Sequence, residues 1–160
     1  MKFDETLTLV YMGKVSMVEL TEDDLKMFSD FERITHVLPS DYISTESSVI
    51  FLVEMPLLGK AIGKQASNIE KLRKVFRKRV IIVGDNSDPE IFLRSFFGNI
   101  TVHSVEFRDI MDEKAMILTV EEKDRGIAIG RSGERIKAAK ALLKKKFDAT
   151  LHLRTRRTAF

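Results

Sequence analysis

The sequence predicts an α+β protein in which one small unit occurs twice. Three observations lead there: an internal repeat, apolar spacing that switches between helix and strand periods, and a basic glycine loop in each copy. Self-comparison reveals the repeat. Leu58-Gly59-Lys60-Ala61-Ile62-Gly63-Lys64 returns 67 residues later as Arg125-Gly126-Ile127-Ala128-Ile129-Gly130-Arg131. The same offset lays Ile50 on Ile117, Val53-Glu54 on Val120-Glu121 and His36 on His103. The chain divides into an extension over 1–20, units over 21–83 and 88–153, and a basic tail over 154–160.

The extension has Gly13-Lys14 between apolar stretches and is expected to be a hairpin added to a sheet. Thr21 followed by Glu22-Asp23-Asp24 signals a helix start, with Leu25, Phe28, Phe31 and Ile34 at helical spacing. Its counterpart is capped by Ser87 or Asp88, takes Pro89 in its first turn, and carries Ile91, Phe92 and Phe96. Strands follow around 36–43 and 102–107, then polar turns over 44–48 and 109–114, then second strands over 49–53 and 116–120. Short helical turns over about 57–62 and 124–129 end at Gly63 and Gly130. Longer helices come next. Ser67 and Glu70 have capping-box spacing ahead of Leu72, Val75 and Phe76, and Ile136, Ala139, Leu142 and Leu143 form the second stripe. Val80–Val83 and Ala149–Leu153 close the units as strands, and Gly84 to Asp88 is the linker.

The loops are Gly63-Lys64-Gln65-Ala66 and Gly130-Arg131-Ser132-Gly133. Glycine lets a sugar-phosphate chain approach the backbone and permits positive φ. The helix that follows offers unpaired N–H groups and partial positive charge to phosphate. Lys64 and Arg131 add full charges. Among the basic residues nearby, Lys60 and Arg125 precede the loops, and Lys71 and Arg135 follow closely enough to reach phosphate. Lys144, Lys145 and Lys146 are expected on a solvated face.

The order α-β-β-α-α-β with the Ile-Gly-Arg-Ser-Gly loop resembles the type II KH domain. The fold class the resemblance implies is two tandem type II KH domains behind a short N-terminal extension. Such a groove clamps about four nucleotides. The resemblance assigns RNA contact to the eight loop residues and makes Ile62 and Ile129 part of the groove wall. Ala66 departs from the pattern where a second glycine is expected, which predicts weaker binding by the first unit. The tandem arrangement is similar to the paired KH domains of the NusA transcription factors, above all their archaeal form. That likeness rests on Leu20-Thr21-Glu22-Asp23, the two glycine motifs and the Asp88-Pro89-Glu90 junction. It implies a single-stranded RNA-binding factor in transcription elongation, termination or antitermination, with RNA polymerase or an elongation complex as a candidate second partner. A KH factor of ribosome assembly or RNA processing is the alternative within the same chemistry. A degenerate KH pair acting as a protein scaffold is the alternative outside it.

Composition agrees with a polyanion binder. Residues 1–54 hold 4 Lys/Arg against 11 Asp/Glu, and residues 55–160 hold 23 against 13. With no cysteine, disulfides and thiolate chemistry are excluded. The three histidines are scattered, and HExxH and GxSxG motifs are missing, so no catalytic or metal site is expected. Gly59–Gln65 has three residues between its glycines where a Walker loop has four, so no nucleotide cofactor is expected either. No apolar run is long enough to span a bilayer and no signal peptide is evident. A cytoplasmic monomer is the expectation.

Overall fold

The computed structural model describes residues 6–10 and 17–157. Strands β1 (Thr6–Val10) and β2 (Met17–Thr21) pair antiparallel as a ribbon of their own. This ribbon joins neither larger sheet, contrary to the expected addition, and its turn with Gly13-Lys14 lies outside the described residues. β2 leads directly into α1 (Glu22–Thr35). The Thr21 hydroxyl accepts the Asp24 N–H and the Asp24 carboxylate accepts the Thr21 N–H, both at 3.1 Å. That reciprocal cap starts the helix. His36 ends it at φ 60°, its N–H donating to the Glu32 carbonyl. His36 is therefore a helix cap, and the strand expected over 36–43 shortens to β3 (Asp41–Ser44).

The first unit continues with β4 (Ser48–Glu54), a 3-10 turn (Met55–Leu57), α2 (Leu58–Ile62), the loop, α3 (Ser67–Phe76) and β5 (Arg79–Asp85). The second has α4 (Pro89–Phe96), β6 (Val102–Ile110), β7 (Glu113–Glu121), α5 (Arg125–Ile129), the loop, α6 (Glu134–Phe147) and β8 (Ala149–Arg156). Each unit has one three-stranded sheet, β3-β4-β5 and β6-β7-β8. The first two strands are antiparallel and the closing strand runs parallel to the central one. A parallel closing strand needs a crossover, which the two helices and the loop between them supply. The glycine loop thus sits mid-crossover in both units.

Further details differ from the sequence reading. Asp88 alone caps α4, accepting from the Glu90 and Ile91 N–H groups at 2.8 and 3.1 Å. Strand β8 continues through Arg156, with Arg154 opposite Thr119 and Arg156 opposite Glu121, so these arginines belong to the sheet rather than a tail. His103 occupies an irregularity in β6, and its Nε2 lies 2.6 Å from Glu121 Oε2. It is not the structural counterpart of His36.

The two units share a core. On one face of β4, Val49, Phe51 and Val53 cluster with Phe31 of α1 and Leu72 of α3. On the other, Ile50 and Leu52, with Val83 of β5, join Phe92, Phe96, Leu118 and Leu142 of the second unit. The unbroken apolar run of β4 follows from burial on both faces. Ile91, expected in this stripe, is 44% exposed, and Leu93 and Phe97 are buried instead. Each large side chain so buried contributes about 1.5–3 kcal/mol. Strand β5 runs to Asp85, so the linker contracts to Asn86-Ser87-Asp88. Lys146 pairs with Asp85 at 2.6 Å and Lys145 with Asp41 at 2.9 Å. These two lysines tie the units together; Lys144 and Lys145 stay exposed as expected, and Lys146 is withdrawn from solvent.

Candidate nucleic-acid interface

The two loops have one backbone conformation. Gly63 lies at φ 80°, ψ 167° and Gly130 at φ 79°, ψ 175°, a region open in practice only to glycine. Gln65 and Ser132, the third residues, both have φ 55°. The fourth residues, Ala66 and Gly133, have φ 59° and 73°. The Ala66 N–H donates to the Gly63 carbonyl at 3.2 Å, and the Gly133 N–H to the Gly130 carbonyl at 3.1 Å. Ala66 therefore keeps the left-handed shape of its glycine counterpart, at about 1–2 kcal/mol for an L-residue.

Ala66 and Gly133 are also the residues from which α3 and α6 start, and neither helix has a side-chain cap. The Ser67–Glu70 capping box expected from spacing does not form, because Ser67 is already inside the helix. Uncapped first-turn N–H groups are what an anion at a helix N-terminus binds. Lys64 and Arg131 stand exposed in the loops just ahead of them, and Lys60, Lys71 and Arg125 are exposed too. Gly59 and Gly126 leave the outer surface of the short helices bare, with open space where a Cβ would stand. A flat group can lie against backbone there.

One expected contact is engaged elsewhere. The Arg135 guanidinium donates to the Ile127 carbonyl at 3.2 Å, to the Phe96 carbonyl at 3.1 Å and to Asn99 Oδ1. It also stacks over the Phe97 ring, 5.2 Å from its centre. Burial, together with Arg79, pushes its pKa below the ordinary arginine value. Arg135 braces the loop. Its counterpart Asn68 does the same with one bond, Nδ2 donating to the Lys60 carbonyl at 3.2 Å. Lys60 and Ile127 are themselves related by the repeat offset, so the brace is a repeated device. Ile62 and Ile129 are half-buried, and the fully buried residues of the short helices are Ala61 and Ala128.

The second loop opens onto a groove of about 560 Å³ between the units. Gly126, Ile127, Arg131 and Phe96 of the second unit line it, together with Arg79 and Ile81 of the first. Ile127 is half exposed there. At its edge the Ser47 N–H donates to Glu134 Oε1 at 3.0 Å, and the Ser47 hydroxyl donates to Glu134 Oε2. The hydroxyl bond leads the effects that hold the Glu134 carboxyl below its ordinary pKa. Sequence reasoning did not assign Ser47, Arg79, Phe96 or Glu134 to the site, and of these Ser47 and Arg79 enter it through contact between units. Ile127 had a signal, since it lies inside the repeated motif. Among the described residues no cluster of His, Asp and Glu is arranged to hold a metal ion, and no helix is long and apolar enough to cross a membrane.

Comparison with known proteins gives one consistent family. The KH domain family model matches residues 90–155. The chain is 30% identical to the probable transcription termination protein NusA of Halococcus morrhuae over 131 residues, 82% of this chain and 94% of that protein. It is 26% identical to the protein of the same name from Methanocaldococcus jannaschii, covering 82% of this chain and 72% of that protein. Among solved structures it is similar to the crystal structure of APE1850, with a TM-score of 0.72 and 31% identity. That match covers 86% of this chain and 100% of the other.

Proposed function

The chain belongs to the archaeal NusA-like family of KH-domain proteins, and from that premise we propose that it holds single-stranded RNA in two tandem type II KH units. KH modules clamp RNA and carry out no reaction on it, and this chain is not an enzyme. The observation that carries the proposal is the identity of the two loop backbones, each with an exposed cation and an uncapped helix behind it. Phosphates sit at the starts of α3 and α6, neutralised by Lys64 and Arg131. Bases lie over the bare helix surfaces at Gly59 and Gly126. Because the units share a core, the two grooves keep a fixed relation and act as one track. The similarity to probable transcription termination proteins supports a place in transcription termination.

The test is a titration of single-stranded RNAs of about 10 nucleotides, enough for two KH footprints of about four each, across a salt series with matched DNA as control. Binding that weakens with salt is expected, and no binding at low salt overturns the proposal. Arg131→Asp is expected to weaken RNA binding about tenfold and Lys64→Asp by less, each flattening the salt slope by about 0.7. A larger loss from Lys64→Asp reverses the order of the sites. Sequencing of RNA crosslinked in cells separates the roles: nascent transcripts support transcription, and ribosomal precursors replace it with ribosome assembly.

A further inference from the structure

The hairpin joining β6 to β7 ends in an apolar tip on which neither loop draws. Its two-residue turn is Met111-Asp112, with φ 52° and 66°, the I′ pattern of a tight hairpin. Such a turn favours asparagine and glycine, and a methionine in the left-handed region is held against its preference. No burial offsets that cost, since Met111 is 92% exposed. Phe107 and Ile110 behind it are 55% and 50% exposed. Three residues apart on one strand, they point to opposite faces. The tip is thus apolar at its end and on both sides. Strand β8 starts opposite Lys114, so the turn reaches past the end of the third strand. In the first unit the matching turn is polar, and its Ser47 is bonded to Glu134.

The charge around the tip differs from that of the rest of the second unit. Between Glu106 and Lys114 stand four carboxylates and two cations. An acidic collar repels RNA phosphates and anionic lipid, while a projecting apolar end fits a dry recess. We propose that this tip docks into an apolar cleft bordered by lysine or arginine on a partner protein, leaving the RNA-binding loops free. A residue costly to the fold and exposed at its most projecting point is explained by that contact.

The test places the photo-crosslinking residue p-benzoylphenylalanine at position 111 of the full chain in cells, with position 140 as an exposed control. Crosslinking from 111 alone to one protein is expected. After identification and purification, that protein should bind the unmodified chain and lose about thirtyfold in affinity to Met111→Asn. Met111→Asn suits the turn, so its thermal midpoint should be equal or higher and its RNA affinity unchanged. This separates a lost contact from a lost fold, and tip docking from the RNA reading. Crosslinks only to RNA or to a second copy of the chain overturn the proposal. So does no crosslink, or a purified partner indifferent to Met111→Asn.

Discussion

Around Gly63 the nearest atoms to a hypothetical Cβ are side-chain atoms of Asn68 and Ser67, all at 2.9 Å. Around Gly130 they are Arg135 Cβ at 2.6 Å and its backbone nitrogen at 3.0 Å. The two loops have one shape, yet the first rests on groups that can swing away and the second on groups fixed in a helix. The first unit's sheet is also buried on both faces, by its own helices on one and by the second unit on the other, whereas the second loop opens onto the groove and has the braced arginine. The repeat keeps one loop backbone and changes the supports behind it. The largest test of that contrast is alanine at the first glycine. Gly130→Ala is expected to lower stability by about 3–4 kcal/mol, through a Gly-only conformation plus a clash with helix backbone. Gly63→Ala meets movable side chains and should cost about 2 kcal/mol. Denaturant unfolding measures both, and equal losses remove the contrast in rigidity.

The braces give the next largest difference. Arg135→Ala leaves the Phe96 and Ile127 carbonyls without their charged donor and should cost about 2–3 kcal/mol. Asn68→Ala removes a single neutral bond and should cost about 1 kcal/mol. The salt dependence of RNA binding sharpens the reading. If Arg135 only braces the loop, the affinity of Arg135→Ala falls while the salt slope stays at its original value. If Arg135 also neutralises a phosphate, the slope flattens by about 0.7, as it should for Arg131→Ala. The second outcome returns Arg135 to the list of direct contacts.

Arg135 also shows where sequence reasoning stops. The order of helices and strands was legible because the repeat let each unit check the other, and the Thr21 and Asp88 caps are local signals acting over three residues. The loop glycines were legible for the same reason. The work of Arg135 was not, because Phe96 and Asn99 lie 39 and 36 residues away in sequence. The Ser47–Glu134 bond spans 87 residues, and no spacing rule reaches across it. Ser67 misled in the opposite way. Its spacing to Glu70 imitates a capping box, but a helix that begins from a left-handed Ala66 already includes Ser67 as its first residue. Lys146 at the end of α6 misled likewise, since a cationic helix face looks solvated until an acidic neighbour such as Asp85 is brought to it.

The smallest difference between the loops is one methyl group, and it tests the inequality of the two sites most directly. Ala66 holds a left-handed conformation that relaxes with glycine, a relief of about 1–2 kcal/mol. Glycine also gives the unfolded chain more freedom, which takes back about 0.4–1 kcal/mol. Ala66→Gly is therefore expected to stabilise the protein by about 0.5–1 kcal/mol. Gly133→Ala should cost a similar amount and no more, because the nearest atom to its new Cβ is Lys137 Cε at 3.7 Å, an ordinary contact. RNA binding adds the functional half. If the Ala66 methyl keeps phosphate at a distance, Ala66→Gly should tighten binding about two- to fivefold in a background where Arg131→Asp has weakened the second site. A stabilised protein with unchanged affinity would mean that the weakness of the first site lies elsewhere. Glu70, which stands one turn into α3 where the second unit has Lys137, is then the residue to change.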